Sequence, residues 1–305
     1  MSRSAICLPL VFTIFAWGYN FIALKHLYLE ITPAAAALMR HVLMYFILVA
    51  ICRLWRYGPA TESGEPGGNW FWAGGRIGLF GILSMGIYMI LFLEALKRTS
   101  APEGAIVIAT APLWTTLFAI LAKQEAFSWR VMAGAAIAFL GVVLVVFGGS
   151  EIHWENLAGN GLMLASAIAW ALTSVWSRPL VGKRPPIVLL TQSMPAAMLV
   201  LVPYAIADTI ATPWFDLTLK TYLAFGHFTL FAGALGFAGF FYGVQQVGAS
   251  GAMLYQYGVA PLATLLAWAF LGDKLLPIQL GGMAIVIVGV VMGTAARRKV
   301  ALAEA

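Results

Sequence analysis

Charge is what this sequence is short of. Of its 305 residues 10% are Asp, Glu, Lys or Arg, and the acids number 12. Soluble globular domains carry roughly a quarter of their residues charged, so a water-soluble domain of this length is excluded. Cysteine is nearly absent as well. Cys7 and Cys52 both fall near the face assigned below as inner, where thiols stay reduced; they are expected to be packing residues rather than a disulfide. The four histidines, His26, His41, His153 and His227, are scattered. There is no Cys/His metal spacing, no Walker-type phosphate loop and no G-x-S-x-G nucleophile motif, so neither a metal, nor a cofactor, nor ATP hydrolysis by this chain is indicated. A membrane-embedded enzyme would need clustered His, Asp or Ser, and a receptor or scaffold would be expected to carry a soluble ligand or signalling domain; the chain shows neither.

Apolar residues make up 62% of the chain and fall in repeated runs of spanning length. A helix of about 20 apolar residues crosses a hydrocarbon core of about 30 Å. The expected fold is therefore an all-α polytopic membrane protein with the lipid bilayer as its surroundings. Ten spans are read at 5–24, 34–51, 77–96, 104–122, 131–147, 157–176, 187–206, 222–244, 251–271 and 280–296. The first run has spanning length and lacks a small-residue cleavage site, so it is expected to stay as a helix rather than be removed as a signal peptide. One long polar interruption, Tyr57 to Asn69, reads as a flexible loop between the second and third spans. A shorter one, Gly148 to Asn156, joins the two halves, either as an ordinary loop or as a hinge.

Those halves repeat one another. Trp17, Lys25 and Pro33 stand in register with Trp170, Arg178 and Pro186 at a constant offset of 153 residues. Pro112, Glu125, Gly134 and Gly141 are echoed by Pro261, Asp273, Gly282 and Gly289, with the acid-to-glycine and glycine-to-glycine spacings conserved at nine and seven. Two matched blocks in one order indicate an internal duplication. The expected units are residues 1–149 (five spans), a connecting loop at 150–157, residues 158–296 (five spans) and a tail at 297–305. Five spans is an odd number, so the second unit enters the bilayer inverted.

Basic residues set the orientation. With the N-terminus inside, the inner segments hold Arg3, Arg53, Arg56, Lys123, Arg130, Arg178, Lys183, Arg184, Arg297, Arg298 and Lys299, against Lys25, Lys97, Arg98, Lys220 and Lys274 outside. Both termini are therefore expected on the inner side. The acids Glu30, Glu103, Glu151, Glu155, Asp208, Asp216 and Asp273 lean outward. The net charge of +6 reflects topology; no basic patch interleaved with exposed aromatics points to nucleic acid.

The whole chain resembles the drug/metabolite transporter superfamily, in its ten-helix branch of two inverted five-helix EamA repeats. The resemblance rests on Trp17-Gly18-Tyr19-Asn20-Phe21 and Arg40. It rests also on Ala111-Pro112 with its Glu125, Gly134 and Gly141 tail, and on Ala260-Pro261 with Leu271-Gly272-Asp273-Lys274 and its Gly282 and Gly289 tail. Members of that branch move small metabolites or drugs, and many bacterial members, the aromatic amino-acid exporters among them, export amino acids. The resemblance implies a transporter, not an enzyme, in a bacterial inner membrane; it does not fix the substrate.

Physical chemistry leads to the same class. Inverted repeats provide two similar arrangements, one open to each side, around a site near the midplane. Pro112 and Pro261 lie near mid-span and deny a donor to the carbonyls of Ile108 and Tyr257, leaving either hydrogen-bond acceptors for a substrate ammonium or packing kinks. Pro195 and Pro203 have no counterparts and read as bends in the seventh span. Glycines four or seven apart, Gly74/Gly78, Gly239/Gly243, Gly134/Gly141, Gly282/Gly289 and Gly289/Gly293, mark close helix packing, within a monomer or across a homodimer.

Polar positions that break the repeat are the candidates for reading an asymmetric small-molecule substrate. Tyr255, Gln256 and Tyr257 align with Ile106, Val107 and Ile108, and Trp114 with Ala263. Trp17 and Asn20 share one helix face, as do Trp170 and Thr173. Arg40, inside the second span, is either a carboxylate anchor or an ion-paired, snorkelling side chain. Glu94 is expected to pair locally with Lys97 and Arg98. His227 is expected to pack rather than carry protons. Apart from Glu94 no carboxylate falls within an expected span, which leaves a proton relay or sodium cage few parts and favours transport down the substrate's own gradient. An aromatic-lined site with few charges suits aromatic or large neutral amino acids; the alternative is a lipophilic cation held by cation–π attraction.

Overall fold

The computed structural model describes residues 7–60, 63–64, 69–70, 74–99, 101–147, 156–272 and 274–303. Arg3, Asp273, much of the Tyr57–Asn69 loop, and the joining segment with Glu151, His153 and Glu155 lie outside them. The first two spans are α1 (Leu8–Leu27) and α2 (Pro33–Leu54). Proline at the first turn costs no hydrogen bond there, and α2 is further started by Thr32, whose hydroxyl accepts from the Ala35 amide at 3.2 Å. The third span is composite: α3 (Gly75–Gly81), a π-helical segment Ile82–Ile87, and α4 (Tyr88–Leu96). The fourth consists of α5 (Ala101–Ile108) and α6 (Ala111–Leu121), and the fifth is α7 (Trp129–Phe147).

The second half follows the same plan. It holds α8 (Leu157–Val181), α9 (Pro186–Ala211), then α10 (Leu219–Gly226), a π-helical segment His227–Leu235, and α11 (Gly236–Gln256). It ends with α12 (Val259–Leu271) and α13 (Pro277–Ala303). Among the described residues nine helical stretches are long and apolar enough to cross a membrane, beside the shorter apolar Val259–Phe270. One of the nine, Leu219–Gln256, runs for 38 residues. At about 1.5 Å per residue it would be nearly twice as long as the hydrocarbon core. Gly248, with φ 81 and ψ 170, breaks it. The eighth span thus ends beside Val247 and the ninth is the remainder of α11 with α12, giving ten.

Packing obeys the duplication. The first span lies against the eighth and ninth (α1 with α11 and α12), and the sixth lies against the third and fourth (α8 with α4, α5 and α6). The second and seventh spans, α2 and α9, face each other across the pseudo-twofold, as do α7 and α13. The last pair forms the most extensive interface of the fold. Large apolar side chains such as Phe46, Leu140, Leu199, Ile210, Phe270, Ile287 and Val291 are exposed around the outside. That is the surface a bilayer covers, because lipid rather than a core takes up these groups.

Candidate substrate site

Matched breaks interrupt the fourth and ninth spans at mid-depth. Pro112 and Pro261 each deny an amide to the residue four back, so the chain steps through tighter bonds: Thr110 to Val107 at 3.1 Å in one repeat, Gly258 to Tyr255 at 3.0 Å in the other. Thr110 and Trp114 stabilise the first break. The Thr110 hydroxyl donates to the Val107 carbonyl at 2.7 Å and accepts the Trp114 indole N–H at 3.2 Å. Trp114 is thereby held along its own helix, stacked on Phe118 at 6.2 Å.

Between the repeats sits an aromatic cluster. Trp17 and Trp170, the register partners, meet edge to face at 6.1 Å. Phe237 and Phe240 touch both, at 5.5 and 5.7 Å from Trp17 and at 5.8 and 4.9 Å from Trp170. Tyr88 lies 5.2 Å from Trp170. Each indole N–H finds an acceptor: Trp17 donates to the Ala232 carbonyl within the second π segment at 2.8 Å, and Trp170 to Gln256 Oε1 at 3.1 Å. The close approach of Trp17 depends on Gly236, where a Cβ would stand 2.8 Å from the indole nitrogen. Tyr88, Phe237 and Phe240 are not among the residues the sequence singles out. A signal existed for two of them: Tyr88 and Phe237 are 149 residues apart, the offset that relates Pro112 to Pro261.

Arg40 borders this cluster. It is 5% exposed, so the snorkelling alternative does not apply. Its guanidinium carbon lies 4.1 Å from the centre of the Phe228 ring and 5.4 Å from that of Phe237. Its Nε has no hydrogen-bond partner, and it makes no ion pair among the described residues. A desolvated cation–π contact supplies about 2 kcal/mol, whereas an isolated buried charge costs several kcal/mol even after relaxation. The aromatic faces therefore leave the cation under-compensated, and an anion delivered beside it would be strongly favoured.

Other polar atoms near the cluster are buried without partners. Gln256 uses Oε1 on Trp170 while its Nε2 is unpaired; Asn20 Oδ1, Ser84 Oγ, Thr173 Oγ1 and Thr229 Oγ1 are likewise unpaired. Ser84 and Thr229 belong to the two π segments, a helix form that recurs at functional sites. The structure does not bring every sequence candidate to one place. Tyr257 is buried on the far side, packed with Leu113, Val131, Ala135 and Val286 in the core formed with α7 and α13. Tyr255 reaches the opposite end of the first span, where its hydroxyl accepts the Cys7 amide at 3.2 Å.

Of the charged residues, Glu94 pairs locally, with Lys97 at 2.8 Å and with Arg98, and also accepts from the Tyr204 hydroxyl at 2.6 Å. His227 contacts the Ala16 carbonyl at 3.0 Å and the ring of Tyr19 at 4.7 Å, a packing position. The count of carboxylates within spans needs correction. Glu103 falls in the first turn of α5 and is buried, with Asn160 donating to it at 2.8 Å, because the fourth span begins earlier than its apolar run. Glu125, just beyond α6, is buried too. Among the described residues no group of three or more His, Cys, Asp or Glu side chains is placed to hold a metal.

This architecture, with a proline-broken helix in each repeat, is that of a membrane transporter. The chain belongs to the EamA-like transporter family, whose profile matches residues 4–147 and again 157–294, within the drug/metabolite transporter superfamily. An uncharacterized transporter of Archaeoglobus fulgidus is 24% identical over 287 residues, covering 92% of this chain and 95% of that protein. A protein of Salmonella typhimurium named probable amino-acid metabolite efflux pump is 24% identical, covering 95% and 94%. One named probable terminal-alkyne amino-acid exporter, of Streptantibioticus cattleyicolor, is 26% identical, covering 71% of each chain. A solved crystal structure superposes with a TM-score of 0.81 at 19% identity, covering 97% of this chain and all of the other, which shows the shared fold.

Proposed function

We propose that the protein exports small amphipathic metabolites by alternating access, with aromatic or large neutral amino acids as substrates. The observation that carries this reading is Arg40, a buried guanidinium without a carboxylate partner among the described residues, beside an aromatic cluster built from both repeats. A free amino acid supplies what that site lacks: a carboxylate for the planar fork of Arg40 and an apolar side chain for Trp17, Trp170 and Phe240. Its ammonium is matched by Gln256 Oε1 and by the carbonyls that Pro112 and Pro261 leave without helical donors. Two relatives named for amino-acid export or efflux support the same class.

Transport follows the substrate's own gradient, as uniport or exchange, since the carboxylates near the bilayer sit at span ends rather than in a relay. The excess of Lys and Arg in alternate loops supports an N-in, C-in orientation in a bacterial inner membrane. The test is flux of a radiolabelled aromatic amino acid into proteoliposomes, with unlabelled competitors and with or without a proton gradient. Protein-dependent flux that tracks the amino-acid gradient is expected. Flux that collapses with the proton gradient while the amino-acid gradient is held constant would overturn the coupling. Flux of lipophilic cations but of no neutral amino acid would overturn the substrate class.

A further inference from the structure

One ion-pair cluster ties the two repeats together away from the aromatic site. Glu125, after α6 in the first repeat, has Oε1 3.6 Å from Arg178 Nη1 late in α8 and Oε2 3.3 Å from Arg297 Nε late in α13. The Ser250 amide, at the start of the ninth span, donates to Oε1 at 3.3 Å. The Glu125 and Arg297 side chains are 2% and 5% exposed, and that of Arg178 32%. Neutral bonds reinforce the same junction: Gln124 Nε2 donates to the Val175 carbonyl at 3.0 Å, and Arg178 to the Gln124 carbonyl. Four spans thus converge on one carboxylate. Arg178 stands eight residues beyond Trp170 on α8, about 12 Å along the helix, so the cluster closes the end of the bundle that lies beyond the aromatic site.

At the opposite end of the bundle Lys25, the register partner of Arg178, is exposed and makes no ion pair among the described residues, which do not include Asp273, the register partner of Glu125. Alternating access requires contacts that exist at one end in one state and are released in the other. A buried carboxylate shared by two arginines suits that role. Neutralising Glu125 in place removes the carboxylate that faces both guanidinium groups, whereas parting the helices lets water solvate every member. The junction therefore has two tolerable arrangements, closed and paired or open and hydrated.

The geometry points to Glu125 as the latch of this gate: its pairing with Arg178 and Arg297 holds the end of α6 against α8 and α13, and opening of that end requires the pairing to break. Spin labels at Ala122→Cys and Lys183→Cys, both exposed positions, in a Cys7→Ser, Cys52→Ser background report the distance between the two ends by pulsed electron resonance. With Glu125 intact a single short distance is expected to dominate. Glu125→Gln, and independently Arg178→Gln at the more exposed partner, are expected to raise a longer-distance population by about tenfold. The exchanged pair Glu125→Arg with Arg178→Glu is expected to restore part of the short one. Unchanged distributions in both single variants, with monodisperse and cooperatively melting protein, would overturn the latch, as would a longer-distance population that the exchange leaves fully in place. The distance measurement needs no substrate, so it stands or falls separately from the amino-acid assignment.

Discussion

Arg40 is the residue on which substrate chemistry turns. A charge-assisted hydrogen bond is worth about 1.5–3 kcal/mol, so Arg40→Gln is expected to weaken transport of a carboxylate-bearing substrate by roughly 10- to 100-fold in apparent affinity. Competition by the amine that lacks only the carboxylate should be affected much less. Equal losses for the amino acid and its decarboxylated amine would remove Arg40 from the site. Trp170→Phe keeps the ring packing but loses the bond to Gln256. Because Gln256 Nε2 is already unpaired, the change leaves both ends of that amide without partners and is expected to cost about 1–3 kcal/mol, read as a lowered melting temperature of the purified protein. A melting temperature equal to wild type would show that the indole bond contributes nothing.

At the scale of elements, small residues set how closely helices approach. Gly134, Gly141, Gly282, Gly289 and Gly293 all face the α7–α13 interface, so the stripes that suggested either packing or a dimer contact meet within one chain. A Cβ at Gly282 would stand 2.8 Å from both the Gly141 carbonyl and the Val145 amide, backbone atoms that cannot swing aside. Gly282→Val is expected to destabilise by about 1–3 kcal/mol or more through overpacking, seen as a lower melting temperature. Gly281, one residue away with open space beside it, should accept Ala with little change; equal sensitivity at the two positions would contradict this packing. The loops carry a second contact between repeats. Glu30 accepts from the Thr218 amide at 2.9 Å and its hydroxyl at 2.7 Å, and these bonds hold the Glu30 carboxyl below the usual carboxylate range. Because the folded value is depressed, this contact stabilises fully above the usual carboxylate range and is lost as pH falls through the lower value that Glu30 has in the fold. Thr218 amide exchange should therefore speed up on acidification in the wild type more than in Glu30→Gln, after correction for intrinsic exchange; identical pH profiles would show that Glu30 does not hold the loop.

For the whole molecule, the duplication organises both the scaffold and its departures from symmetry. The α7–α13 and α2–α9 pairs form the symmetric scaffold, and the two proline breaks and the two π segments recur in both repeats. Asymmetric parts carry chemistry. Arg40 with its aromatic neighbours offers one buried cation, and the Glu125 cluster closes one end of the bundle.

Composition and spacing by themselves determined the membrane class, the ten spans, the duplication, the mid-span breaks and the local pairing of Glu94. These follow from local rules, namely the length needed to cross a bilayer, the missing proline amide, and the reach of side chains three or four residues apart on a helix. They also drew attention to Trp17, Trp170, Gln256 and Arg40. Only the tertiary structure decided which of the candidates meet. Tyr257 and Tyr255 adjoin Gln256 in sequence, yet successive helical positions differ by about 100°, so one packs against α7 and α13 and the other reaches the Cys7 end. Whether Arg40 had a counter-ion, and whether Glu125 had two, depended on helices more than 50 residues away in sequence. No periodicity within a segment encodes such a meeting; it is set by how ten helices, each apolar on nearly every side, divide their faces between lipid and one another.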